Sequence, residues 1–210
     1  EMCIRDRVEA IAIFGPDGEL RRSIEPDPRL FRAQGLPSGG FVGIEFYSYT
    51  LMLVAADWSG HSALTVLPKL TSLAAPFMRH LYPEEEFVVG GDRIYVTPGS
   101  TYEIAAFALD GEARWLLRVP WAREPIPEAE VELAMGRTRR AGRAMGGNVD
   151  PATMHWPTQF PALEGIAADA RGRLYVFPFV TGGGAATGYP VDVYSSSGET
   201  LVHGTLPFQG

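Results

Sequence analysis

The stretch "HSALTVL" sets His61 beside Ser62, the side-chain types of a hydrolase base and its nucleophile. Adjacent residues on a strand point to opposite faces, so the pair is poorly placed for proton transfer and reads as a turn residue followed by a strand residue. The four histidines, His61, His80, His155 and His203, lie far apart with no H-x-H or H-x-x-x-H spacing, which argues against a zinc site. A single cysteine, Cys3, excludes an intrachain disulfide framework and a thiolate metal cluster. The glycine run "TGGGAATG" (181–188) lacks the lysine and following helix of a phosphate-binding loop, and reads as a loop between strands. The basic tract "GRTRRAGRAMGG" (136–147) reads as a solvated helix end. None of these residues is assigned as catalytic or as a metal ligand, and no cofactor is implied.

The elements that carry these residues follow from composition and repetition. In 210 residues, 46% are hydrophobic, and 24 Gly and 17 Pro punctuate short apolar runs, the pattern of many short strands joined by turns. A net charge of −7 is the wrong sign for a general nucleic-acid or anionic-membrane binder. No apolar run approaches the roughly 20 residues of a membrane-spanning helix.

Four segments share one design of apolar run, glycine turn and second run: 10–24, 51–67, 103–119 and 191–206, with turns at Gly18, Gly60, Gly111 and Gly198. Each reads as a β-hairpin whose turn suits positive φ. Upstream of three of them lies another hairpin, at 30–46, 85–99 and 163–179, in which "RIYV" (93–96) and "RLYV" (173–176) nearly repeat each other. Gly40 to Gly60 and Gly91 to Gly111 are both 20 residues apart, and Gly172 to Gly198 is 26, lengthened by the loop 180–188. Turn spacing alone also fits a β-sandwich. The recurring offset and the repeated tetrapeptide favour a four-stranded unit that stacks on its neighbours, a β-propeller blade. The expected fold is therefore all-β, a partial β-propeller of about three and a half blades: a half blade at 8–24 and blades at about 30–67, 85–119 and 163–206. An insertion at 121–161 separates the last two. Its middle, 127–145, reads as a helix opened by Pro127, with Glu128, Glu130 and Glu132 early and Arg137, Arg139, Arg140 and Arg143 late, the order a helix dipole favours. Gly136 and Gly142 weaken it, and Gly146 with Gly147 should end it.

On "ALEGIAADARGRLYVFPF", "YPVDVYSSSGETLVHGTLP" and "GGDRIYVTPGSTYEIAAFALDGEARWLLRVP", the chain resembles the six-bladed β-propeller proteins related to NHL repeats, a group that includes TolB-like propellers. The resemblance spans about residues 8–208 and implies architecture more than activity. Bacterial members with such an insertion are often exported, so it implies an extracytoplasmic location. Enzymatic relatives, gluconolactonase-like and lyase-like, hold a divalent metal with Glu, Asn and Asp. Glu164 and Asn148 are present here, but their spacing does not mark them as ligands, so no catalytic or metal-binding residue is carried over.

In a propeller, the loops between second and third strands and the inter-blade connections share one face. Here they hold Tyr47, Tyr49, Tyr102, Phe179 and Tyr189, and Arg79, His80, Trp121, His155 and Trp156 respectively. Aromatics with polar tips on one rim suit a protein partner or small ligand, although Trp121, Trp156 and Phe179 equally suit pinning the insertion to the blades. The expected function is thus a binding or scaffold propeller. The alternative is a piece of a metal-dependent, lactonase-like propeller hydrolase, which inward-facing Glu, Asn and Asp on several first strands would favour. Self-association through open sheet edges is a third expectation.

The opening "EMCIRDR" can be back-translated into a transposase adapter read in frame, so residues 1–7 are expected to be adapter-derived, at the start of a truncated propeller chain, and to pack against nothing.

Overall fold

The computed structural model describes residues 11–14, 17–24, 30–45, 50–55, 60–66, 81, 86–144, 150–154, 156–181 and 188–207. The expectations for residues 1–7, for the helix stop at Gly146 and Gly147, for Asn148, and for Tyr47, Tyr49, Arg79, His80 and His155 lie outside the described residues.

Among the described residues, fourteen strands form one two-stranded and three four-stranded antiparallel sheets. The first is β1 (Ile11–Phe14) with β2 (Leu20–Ile24). The second runs in order through β3 (Leu30–Gly35), β4 (Phe41–Glu45), β5 (Thr50–Val54) and β6 (His61–Val66). The third has β7 (Glu86–Gly90), β8 (Arg93–Thr97), β9 (Glu103–Ala108) and β10 (Ala113–Arg118). The fourth has β11 (Leu163–Ala168), β12 (Leu174–Pro178), β13 (Tyr189–Tyr194) and β14 (Thr200–Leu206). This is the all-β, partial-propeller class expected.

The chain divides into two compact units, 1–69 with 109–112, and 70–108 with 113–210. In the first, Leu30, Met52 and Val54 form a buried cluster, with Ala33 and Phe41 packed against it. The turn before β4 has its left-handed residue at Gly39 (φ 91°). Gly60 departs from expectation, its φ lying outside the left-handed region, whereas Gly18, Gly111 and Gly198 have φ of 79°, 91° and 87°.

In the second unit two sheets stack face to face. Alternation along β10 turns Trp115 and Leu117 toward the fourth sheet and leaves Leu116 and Arg118 exposed. Together with Tyr95, Tyr102, Ile104 and Ala106 they meet Leu163, Leu174, Val176 and Tyr194 in one core. Each such side chain, withdrawn from water, contributes roughly 1.5–3 kcal/mol. At one end the backbones nearly touch. A Cβ on Gly90 would lie 2.3 Å from the Cβ of Ala168 and 2.9 Å from the carbonyl oxygen of Asp169. Beside it the Tyr95 hydroxyl donates to the carbonyl of Gly172 at 2.5 Å, and the Trp115 indole N–H donates to the carbonyl of Ser196 at 2.9 Å.

The insertion carries α1 (Glu128–Ala144), within the helix expected at 127–145, and a 3-10 turn at Pro151–Thr153. Ala134, Thr138 and Gly142, four apart, make its buried stripe. Gly142 weakens intrinsic propensity yet sits on that packed face. Ala134 joins Leu81, Ile126 and Phe160 in a small core of its own.

Candidate functional site

Antiparallel order brings the end of β8, the start of β9 and the end of β10 to one edge of the third sheet. Chain leaving that edge lines a cleft of about 240 Å³, formed by Thr101, Tyr102, Glu103, Arg118, Val119, Trp121, Arg123 and Ala162. Trp121 is 40% exposed at its mouth, and its ring tilts against that of Tyr102 at 5.8 Å. Glu103 and Arg118 are cross-strand partners joined by an ion pair of 2.7 Å, worth under about 1 kcal/mol at such exposure. The Arg123 guanidinium is positioned by backbone: Nε donates to the carbonyl of Phe160 at 3.1 Å and a terminal nitrogen to that of Gln159 at 3.3 Å.

Behind the cleft lies a hydrogen-bonded chain. The buried Tyr102 hydroxyl donates to the carboxylate of Asp192. With that one proton engaged, the Tyr194 hydroxyl donates to the Tyr102 oxygen at 3.0 Å. His203 Nδ1 donates to the other carboxylate oxygen of Asp192 at 2.6 Å. Burial, reinforced by the hydrogen bonds to Asp192 and Tyr194, pushes the Tyr102 phenol far above its ordinary range. Burial raises that of Tyr194 as well. Near neutral pH both stay protonated, and Tyr102 serves as a donor and a rigid wall rather than as a base or nucleophile.

Of the rim residues expected from sequence, Tyr102 and Trp121 meet in this cleft. Phe179 stacks on Phe160 at 5.1 Å and packs with Trp156 against the core under the helix, and the Trp156 indole N–H donates to the carbonyl of Pro151 at 2.9 Å. Tyr189 lies apart, 38% exposed, in a hollow of about 300 Å³ with Glu164, Gly165, Phe177 and Leu206. Glu103, Arg118 and Arg123 were not anticipated. The first two become visible once the Gly111 turn sets the register of β9 against β10. Asp192, a lone carboxylate amid the apolar run of β13, was the signal for the buried network.

Among the described residues no group of three or more His, Cys, Asp or Glu converges as a metal site, and no helix is long and apolar enough to cross a membrane. No family model and no curated protein matches the sequence. Solved structures resemble it at low identity. A catalytically inactive virginiamycin B lyase from Staphylococcus aureus, with quinupristin, is 10% identical, with a TM-score of 0.42 over 96% of this chain and 50% of its own. A gluconolactonase from Xanthomonas campestris is 17% identical, with a TM-score of 0.40 over 95% and 56%. The Swd1 β-propeller domain of Myceliophteria thermophila is 11% identical, with a TM-score of 0.34 over 95% and 67%. The chain spans about half the length of the first two. At these TM-scores the likeness assigns neither family nor activity.

Proposed function

We propose that the chain is a binding or scaffold propeller that receives a small ligand or a partner's side chains on its loop face. The observation that supports this is the cleft of Tyr102 and Trp121, an aromatic wall and platform beside Glu103, Arg118 and Arg123. A half-exposed indole over a buried tyrosine offers apolar contact area at little entropic cost, and the neighbouring charges supply orientation. Tyr102 cannot turn away, because its hydroxyl is anchored on Asp192. Trp121 and Arg123 begin the connection to the helix, so an occupant would also touch the segment that carries the insertion.

A metabolite and peptide array read by thermal shift, run on wild type and Trp121→Ala in parallel, tests the reading. Ligands that raise the wild-type Tm and lose their effect in the variant are expected. An array without a stabilising compound, or with compounds that stabilise both proteins equally, counts against it.

A further inference from the structure

The hydrogen-bonding capacity left over around the Tyr102 cleft is lopsided. The Nε of Arg118 is taken by Glu103, which leaves both terminal nitrogens of that guanidinium without a protein acceptor among the described residues. Arg123 spends its Nε and one terminal N–H on the carbonyls of Phe160 and Gln159, so three of its five N–H groups remain. The Trp121 indole N–H and the Thr101 hydroxyl are likewise unspent among the described residues. Acceptors are the opposite case. The Tyr102 carbonyl takes the N–H of Val119, the Ala162 carbonyl takes that of Phe179, and the Tyr102 hydroxyl is turned to Asp192. Glu103, the one carboxylate among the described lining residues, holds Arg118. Two guanidiniums against one carboxylate give this lining a charge of +1, in a chain whose net charge is −7. Nearby acids do not reverse that sign at the mouth: Glu124 accepts from the Thr181 hydroxyl, and Asp192 lies behind Tyr102 with both oxygens engaged.

Surplus donors and a positive lining suit an acceptor-rich anion, and the exposed indole beside the Tyr102 ring suits a flat apolar body. We propose that the cleft takes a small aromatic carboxylate, its ring against Trp121 and its carboxylate shared by the guanidiniums of Arg118 and Arg123. The assignment rests on the cleft being the ligand site. A cationic ligand would gain from the indole face, but it would meet two guanidiniums with the lining carboxylate already paired. A neutral polyol would bring donors to a lining whose acceptors are mostly spent. A phosphate monoester carries about two negative charges near neutral pH, more than the lining balances, whereas a carboxylate matches it. Glu103 then tunes affinity, because ligand and Glu103 compete for the same guanidinium.

Ligand-observed NMR titration of the full chain with naphthoate and with naphthamide, alike in shape but not in charge, tests the assignment. The acid should bind at least about tenfold more tightly, the difference made by a hydrogen bond to a charged group. Glu103→Gln releases Arg118 and removes the competing charge, so it should tighten the acid several-fold and leave the amide unchanged. Damage to the fold could not produce that gain. Arg118→Gln should weaken the acid alone, and Trp121→Ala should weaken both probes. Equal affinity for the two probes, with both lost in Trp121→Ala, keeps the cleft as a site and overturns the acid. An acid preference indifferent to both Glu103→Gln and Arg118→Gln puts the carboxylate elsewhere and overturns it too. Failure of both probes to bind, or binding that survives Trp121→Ala, removes the cleft as the site and this assignment with it.

Discussion

Gly90→Ala should be among the most damaging single-methyl additions in the second unit. The added Cβ would stand 2.3 Å from that of Ala168 and 2.9 Å from the carbonyl oxygen of Asp169. Unbonded carbons settle at about 3.5–4.0 Å, so β7 and β11 must part by more than about an ångström. Neither obstacle can swing aside: one is a Cβ fixed to its backbone and the other is backbone itself. Overpacking of this kind costs about 1–3 kcal/mol. The displacement also pulls Gly91 from Gly172 and lengthens the Tyr95 bond to the Gly172 carbonyl, a buried bond whose loss costs about 1–3 kcal/mol. We expect a total of roughly 2–6 kcal/mol, read by urea unfolding followed through Trp115, which lies in the same interface. Ala168→Gly removes the nearer obstacle and leaves the one at 2.9 Å. In the double variant the two changes should therefore be non-additive by at least about 1 kcal/mol in the favourable direction. A Gly90→Ala protein within about 0.5 kcal/mol of wild type, or strict additivity with Ala168→Gly, refutes the close approach of the two sheets.

Alkaline pH should loosen the same interface. Burial pushes the phenol of Tyr95 up to about 12, so its contribution is complete below its unfolded value near 10 and is lost as pH rises through about 12. Because Tyr95 is wholly buried, the loss should approach roughly 2–3 kcal/mol across that window. Urea midpoints at pH 9 and 11.5 should fall in wild type and fall less in Tyr95→Phe; equal slopes refute the assignment. Tyr102→Phe takes a donor from the carboxylate of Asp192 and the acceptor from the hydroxyl of Tyr194, and should cost about 1–3 kcal/mol. Asp192→Asn retains an acceptor for Tyr102 and should cost less; the reverse order in chemical denaturation would sink the proposed donor directions.

The fold was legible because a repeat shows itself several times over. A single glycine turn is weak evidence, but Gly91 to Gly111 echoes Gly40 to Gly60, and "RIYV" echoes "RLYV", so each unit corroborates the others. The repeat even tolerated a local departure, since Gly60 lies outside the left-handed region without moving β5 or β6. The cleft was legible only in its aromatics. Tyr102 and Trp121 announce themselves as loop residues of the right type, but Arg123 matters through two backbone carbonyls 36 and 37 residues away. No periodicity encodes such a contact. The buried network is similar: Tyr102 reaches Asp192 across 90 residues, from one sheet to the next.

That contrast also explains why Tyr102 and Tyr189, equivalent by repeat, behave differently. The same residue at the same strand position is a buried wall in one sheet and a partly exposed side chain in the next. The difference is not in the strand that carries it but in what stands opposite: Asp192 and Ala162 close over Tyr102, with His203 steadying the carboxylate from the outer strand. A neighbouring sheet therefore does two jobs at once. It buries the apolar face that its predecessor cannot bury alone, and its Asp192 carboxylate turns a tyrosine at the sheet edge into a fixed wall for the cleft. Removing that charge should thus loosen the cleft before it loosens the stacked sheets, because the apolar contacts of Ile104, Leu174 and Val176 do not depend on it.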